Sequence, residues 1–249
     1  IVRARGASAL VAGGNATHNA SRHNPSEPRG LVILFALLDD VGMNDLVNST
    51  DIAAATPYIH ALARDGVALA RYYAQACCTP GRATILTGRY IWTSGMQYSM
   101  IFNDSPWGVP TSHELLPTSI RRLGYATHAV GKWDIGSYAR DMWPTNRGFD
   151  SFFGLVGDAL GWTTHIACVS YDTHCDSITD LHYDEANAAG LAGNYTTWMF
   201  GNHTQGLIRE LAAGAPADEG LFVYFAYNAG HKSVEVPEPY GSQLMGELQ

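Results

Sequence analysis

The eight residues from Leu31 to Leu38 are apolar without interruption, and two carboxylates, Asp39 and Asp40, follow at once. A strand with one face in water alternates apolar and polar side chains, so this run reads as a strand buried on both faces of a parallel sheet. Short apolar strands and helical segments then alternate along the chain. Thr56-Pro57 opens a helix with Ile59, Leu62 and Ala63 on one face, and Gly66 ends it. Val67 to Tyr73 reads as a strand and Pro80 to Leu86 as a helix. Further helices are expected over His113 to Leu123 and around Gln205 to Ala213, and further strands over Ala126 to Val130 and Leu221 to Tyr227. Strands alternating with helices imply an α/β sheet. Ser, Asn, His, Arg, Pro and Gly dominate from Gly13 to Gly30, so residues 1–30 read as a flexible lead-in and residues 31–249 as one domain without internal repeats.

In sheets of this kind ligands bind beyond the carboxyl ends of the strands. Asp39-Asp40 stands at such an end, where adjacent carboxylates suit a hard divalent cation, most naturally Ca²⁺; a solvated turn before Gly42 is the commoner reason for such a pair. The segment from Cys78 to Thr87, CTPGRATILT, places a thiol and an arginine at a helix start. Pro80 suits the first helical position, so Cys78 and Thr79 lie where unpaired backbone N–H groups point outward. Such a terminus attracts anions and lowers a thiol's pKa, and Arg82 one turn on is placed to pair with a bound oxyanion. An ordinary capped helix with a buried cysteine has the same spacing.

The flanks make the pattern specific. Cys78-Thr79-Pro80-Gly81-Arg82, followed by Ile85-Leu86-Thr87-Gly88-Arg89, resembles the sulfatase signature, in which the cysteine is oxidised after translation to formylglycine. Gly124 to Trp133, GYATHAVGKW, resembles the family's second signature. The similarity extends through Leu31 to Asp45, Arg147-Gly148-Phe149-Asp150 and His231 to Tyr240, and is closest to the arylsulfatase B type in Leu86 to Tyr90 and Val236-Pro237-Glu238. The resemblance implies an alkaline phosphatase-like mixed sheet flanked by helices. It assigns Asp39 and Asp40, with the modified Cys78, to a Ca²⁺ site, Arg82 and Lys132 to the sulfate oxygens, and His231 to the sulfate and leaving group. It also implies that the family's remaining metal ligands, an Asp and an Asn, and a second active-site lysine would lie past Gln249. Metal binding by this stretch alone is therefore expected to be weak or absent, and the chain is expected to be the amino-terminal part of a longer catalytic domain.

One position departs from the family. After Gly-Lys-Trp the relatives carry His, thought to take the proton of the formylglycine hydroxyl so that sulfate is expelled; this chain has Asp134. A carboxylate can serve as a base, but with an ordinary pKa near ~3.9 it is weaker than imidazole near neutral pH. The implied reaction runs from the hydrate of formylglycine 78, one hydroxyl attacking sulfur while His231 protonates the leaving alcohol or phenol, with Asp134 the expected second base. The expected substrate is a sulfated hexosamine of a glycosaminoglycan or an aryl sulfate, and the expected modifying partner is a formylglycine-generating enzyme. A phosphate or phosphonate ester hydrolase of the same superfamily, and a silent relative that binds sulfated glycans, are the alternatives.

Composition bounds the rest. With 249 residues, 46% of them hydrophobic, the chain can bury one sizeable core, and no apolar run approaches the ~20 residues needed to span a bilayer. A formal charge of −8 argues against a general nucleic-acid or anionic-membrane binder, since both rely on dense Lys and Arg. Cys168 and Cys175 bracket a short polar segment that a disulfide could close, and Cys77 reads as a packing residue. Sequons at Asn15, Asn19, Asn48, Asn103, Asn194 and Asn202 point to the secretory pathway, hence to a lysosomal or extracellular protein.

Overall fold

A computed structural model describes residues 31–42, 44–47, 56–168, 177–214, 220–231 and 235–241. In chain order these form β1 (Val32–Leu37), α1 (Asn44–Val47), α2 (Pro57–Asp65), α3 (Cys78–Thr87), α4 (Ile91–Ser94), α5 (Leu116–Arg121) and β2 (Tyr125–Lys132). They continue with β3 (Ser151–Leu155), β4 (Ile166–Cys168), β5 (Ser177–Thr179), β6 (His182–Tyr183), β7 (Ala186–Asn187), α6 (Thr196–Gly214) and β8 (Gly220–Ala226). The lead-in over residues 1–30 lies outside the described residues.

The main sheet has the order β1-β8-β2-β3-β6-β7, with β1, β8, β2 and β3 parallel and β6 and β7 antiparallel; β4 and β5 form a separate hairpin. This is a mixed α/β sheet, as the alternation of elements implied. The strand buried on both faces is β8, not β1. Along β8, Phe222, Tyr224 and Ala226 enter one apolar cluster with Ala83 and Leu86 of α3 and Trp133, while Leu221, Val223 and Phe225 enter a second with Phe200 of α6. That alternation is the two-residue period of a strand between two layers. β1 pairs only with β8 among the described residues, and its Leu34 is 41% exposed. An apolar run specifies a strand that can be covered on both faces, but not which strand stands beside it.

Other expectations shift by their local chemistry. α2 forms as expected and stops at Gly66, yet buries none of its residues. Val67 to Tyr73 forms no strand, and Val67, Leu69, Tyr72 and Tyr73 are exposed, because among the described residues no neighbouring strand supplies the ladder that a β-prone run needs. The helix expected from His113 begins only at Leu116, where Pro117 fits the first turn, after a turn in which the His113 amide donates to Pro110 O. α6 starts at Thr196, well before Gln205. β3 was not foreseen, being short and without alternation.

Several motif residues are structural. Arg147 is buried and donates to the carbonyls of Val109, Pro110 and His113, while Asp150 accepts from the Thr127 amide and hydroxyl. Cys168 is disulfide-bonded; Cys175 lies outside the described residues, and Cys77 is a free thiol. Of the sequons, Asn15, Asn19 and Asn48 lie outside the described residues, and Asn194 and Asn202 are exposed. Asn103 instead points its amide inward to Asp180 at 3.0 Å, so this sequon asparagine is engaged in the fold. Among the described residues no helix is long and apolar enough to cross a membrane.

Candidate active site

Four adjacent parallel strands end on the same side of the sheet, and each delivers polar residues there. Asp39 and Asp40 follow β1, the Asn228–His231 turn follows β8, Lys132 closes β2 with Asp134 just beyond, and Asp158 stands three residues past β3. The N-terminus of α3 enters the same space with Cys78, Thr79 and Arg82. Close backbone approach builds the turns. Gly230 has φ +103°, and a Cβ there would lie 2.2 Å from the Asp39 carbonyl oxygen, so the His231 turn can lie against the β1 end only with glycine. Asp40 and Asp134 themselves adopt left-handed φ values of 55° and 54°, which Asp tolerates better than most residues.

The helix differs in one detail from the sequence reading. It begins at Cys78, with Cys77 as the extended residue before it, so Pro80 is the third helical residue rather than the first. Cys78 still belongs to the first turn, whose N–H groups lack helical acceptors. Its thiol points at Asp39 Oδ1 at 3.5 Å and Asp40 Oδ1 at 4.0 Å. The expectation of an acidic thiol is overturned: burial, with the nearby Asp39 and Asp134 carboxylates, pushes Cys78 up to about 12 despite Lys132 and Arg82. As a free thiol it is a poor nucleophile at neutral pH.

Charge organises the centre. Asp39 Oδ1 accepts from Arg82 Nη2 at 3.0 Å and Asp39 Oδ2 from Lys132 Nζ at 3.0 Å. Burial alone would raise the Asp39 carboxyl; these two cations and their hydrogen bonds outweigh it and hold Asp39 below the usual range. Arg82 also donates to the Lys132 carbonyl oxygen at 2.9 Å, so both of its terminal nitrogens are taken up by protein. Lys132 is fully buried within three carboxylates, Asp39 at 3.0 Å, Asp158 at 2.8 Å and Asp134 at 3.7 Å. Burial would lower its pKa, but these neighbours keep the ammonium charged.

Asp134 is likewise fully buried. Its Oδ1 accepts from the Thr79 hydroxyl at 2.9 Å, while Oδ2 has no hydrogen bond and faces the equally unbonded Nε of Arg82 at 3.9 Å. Burial pushes its carboxyl up to about 6, against the pull of Lys132 and Arg82. His231 places Nε2 3.8 Å from Asp40 Oδ2, and ligand atoms of Asp39, Cys78 and His231 lie within 4.8 Å of one another. Every residue expected at the site, Asp39, Asp40, Cys78, Arg82, Lys132, Asp134 and His231, is thus brought to one end of the sheet.

Two residues escaped the sequence reading. Asp158 completes the cage around Lys132. Asp180 is completely buried and accepts from the Val156 and Gly157 amides, the Asn103 amide and His182 Nε2, which fixes the loop carrying Asp158. Recognising Ser151 to Leu155 as a strand would have placed Asp158 at a strand end; nothing local marks Asp180. Of the remaining histidines, His165 is fully buried and His182 pairs with Asp180, both packing positions, while His174 lies outside the described residues.

The donor set fits a divalent cation. Among the described residues, Asp39, Asp40, Asp134 and Asp158 oppose two permanent cations, Arg82 and Lys132, so carboxylates outnumber cations there. Asp39, Asp40 and Cys78 offer the converging ligand atoms, with exposed Asp40 accessible to an ion.

Comparison with known proteins identifies the family and the fold. The family model described as Sulfatase matches residues 32–244. The chain is 36% identical over 214 residues to arylsulfatase J of Mus musculus, covering 84% of this chain and 34% of that protein. It is 32% identical over 230 residues to N-acetylgalactosamine-6-sulfatase of Mus musculus, covering 88% of this chain and 43% of that protein. These relatives do not single out the arylsulfatase B type. The crystal structure of Ps i-CgsB in complex with k-i-k-neocarrahexaose superimposes with a TM-score of 0.72 at 23% identity, covering 88% of this chain and 49% of that one, and so shares its fold. The chain spans less than half the length of these relatives. With both signature segments meeting at the carboxyl ends of one parallel sheet, and a family match across nearly all the described residues, the chain belongs to the sulfatase family.

Proposed function

We propose that this chain carries the nucleophile of a sulfate ester hydrolase, with Cys78 as the residue converted to formylglycine. One observation carries the reading: Cys78 at the start of α3 lies within reach of Asp39, Asp40 and His231 and beside the buried pair Arg82 and Lys132. A thiol held near pKa 12 is unsuited to attack, whereas a hydrated formylglycine would supply a hydroxyl nucleophile at the same point. Asp39, Asp40 and the residue at 78 would hold a divalent cation, which would offset the negative charge of the sulfate oxygens.

The chain's own side chains account for the remaining tasks. Lys132 and the first turn of α3 provide fixed positive potential for the sulfuryl oxygens. Arg82 holds Asp39 in place and adds its charge behind the anion. His231, at the rim with 12% of its side chain exposed, is placed to protonate the leaving alcohol. Asp134, raised to about 6 by burial, is a more effective proton acceptor than an ordinary carboxylate and takes the place of the family's histidine. The substrate class is a sulfated carbohydrate or aryl sulfate, a reading supported by the sulfated sugar named with one structural neighbour, the complex with D-glucosamine-2-N,6-O-disulfate. A secretory-pathway protein, lysosomal or extracellular, in which a formylglycine-generating enzyme would act on Cys78, is the setting that the sequons favour, and Asn194 and Asn202 are exposed as glycan attachment requires.

Peptide mass spectrometry across Cys78, on protein from a secretory host, combined with turnover of 4-nitrophenyl sulfate, tests the reading. Conversion of thiol to aldehyde and a rate at least 10³-fold above that of Cys78→Ala are expected. An unmodified thiol with equal rates for the two proteins would refute it.

A further inference from the structure

We propose that Asp158 determines substrate specificity at the sulfate-ester site, favouring esters with a hydrogen-bond donor beside the sulfate and excluding those with a second anion there. The inference rests on the site assignment above. Lys132 has three carboxylate partners, and they are not equivalent. The side chains of Asp39 and Asp134 are 5% and 0% exposed, whereas that of Asp158 is 14% exposed. Asp158 is therefore the most solvent-accessible member of the cage. Its Oδ1 accepts from Lys132 Nζ at 2.8 Å, and among the described residues its Oδ2 accepts no hydrogen bond. An Asp158 oxygen, Cys78 Sγ and an Asp134 oxygen lie within 4.8 Å of one another, so a group next to the scissile ester falls within reach of Asp158.

The carboxylate is held, not left to swing. The two amides immediately before it, Val156 and Gly157, donate to Asp180 at 3.1 and 2.9 Å, and Asp180 is anchored in turn by Asn103 and His182 at 3.0 Å each. A Cβ at Gly157 would lie 1.8 Å from Asn103 Oδ1, so the loop packs against Asn103 with no room for a side chain. A preorganised, partly desolvated acceptor discriminates strongly, because a ligand lacking a donor leaves it unpaired and a ligand anion meets like charge at short range. Neutralising Lys132 is the other task Asp158 performs; that task alters affinity for every sulfate ester alike, whereas selection alters ratios between esters.

Three phenyl sulfates that differ only in the ortho substituent separate the two roles: hydroxymethyl as donor, methyl as neutral group and carboxylate as anion. Their dissociation constants are measured by calorimetry on the chain carrying Cys78→Ala, which needs no turnover, with and without Asp158→Asn, and with Asp158→Ser as a second variant. The expected order of affinity is hydroxymethyl, methyl, carboxylate, with the carboxylate ester at least tenfold weaker than the methyl ester. Asp158→Asn and Asp158→Ser should bring the carboxylate and methyl esters within about threefold of each other. Ratios unchanged in both folded variants, or no measurable binding of any of the three esters, would overturn the proposal. Turnover of the methyl ester by the Cys78-converted protein reports separately on the sulfatase reading, so the two can fail independently.

Discussion

Asp134 carries a carboxylate into a space without solvent, and its environment sets both its chemistry and its cost. The raised pKa means that the folded protein holds a proton on Asp134 between the unfolded value of 3.8 and about 6. Over that window the folded state binds more protons than the unfolded one, so stability falls as pH rises, and above about 6 the ionised group is a net burden. Asp134→Asn should match the parent below pH 4 and exceed it at pH 7 by up to roughly 3 kcal/mol, from about two pKa units at ~1.4 kcal/mol each. Urea midpoints of the two proteins from pH 4 to 8 check this; a difference independent of pH would refute it. Asp39, whose carboxyl is lowered, contributes stability in the opposite sense, lost as pH falls, but it is common to both proteins. The identity of Asp134 was legible in the sequence as a departure from a motif, whereas its complete burial and its bond from Thr79 were not, since both depend on where α3 lands on the sheet.

At the level of elements, the sheet is held between two helical layers, and each layer has a different relation to function. α3 packs Ala83 and Leu86 on one face and thereby fixes the residue at 78 against the strand ends. α6 covers the other face through Phe200, which is fully buried and meets Phe153 edge to face at 5.5 Å between ring centroids. Phe200→Ala should cost about 3–5 kcal/mol of stability by lost burial and cavity formation. The same variant should leave the arrangement around Cys78 intact, because Phe200 packs in the apolar cluster on the face of the sheet away from α3. Denaturant melts measure the first effect, and an unchanged affinity for a phenyl sulfate measures the second; a loss below 1 kcal/mol would show that α6 is not essential cover. The start and end of α2 were legible from Thr56-Pro57 and Gly66, since those signals are local. Val67 to Tyr73 misled for the opposite reason: β-propensity expresses the fit of side chains to a neighbouring strand, and no strand stands there among the described residues.

On the scale of the molecule, charge is distributed unevenly. The chain carries −8 overall, and among the described residues its candidate site gathers four of those carboxylates around two buried cations. A divalent cation should relieve that excess, so Ca²⁺ should stabilise the chain. If affinity is millimolar, 10 mM Ca²⁺ adds about 1.4 kcal/mol, or roughly 3–6 °C in melting temperature. Asp40→Asn should abolish the shift with little effect on the metal-free melt, since Asp40 is half-exposed. Equal melting temperatures in Ca²⁺ and in chelator at matched ionic strength would refute the site. By itself the sequence determined the α/β class, the family and which residues would meet, because short-range signals encode strands, helix starts and motif spacing. Only the tertiary structure decided that β8 rather than β1 is the strand buried on both faces, that Arg82 is committed to Asp39, that the Cys78 thiol is basic rather than acidic, and that Asp158, on a loop held by Asp180, joins the cage around Lys132. Each of those depends on burial and on charges brought together from strands far apart in the chain, and no local pattern specifies either.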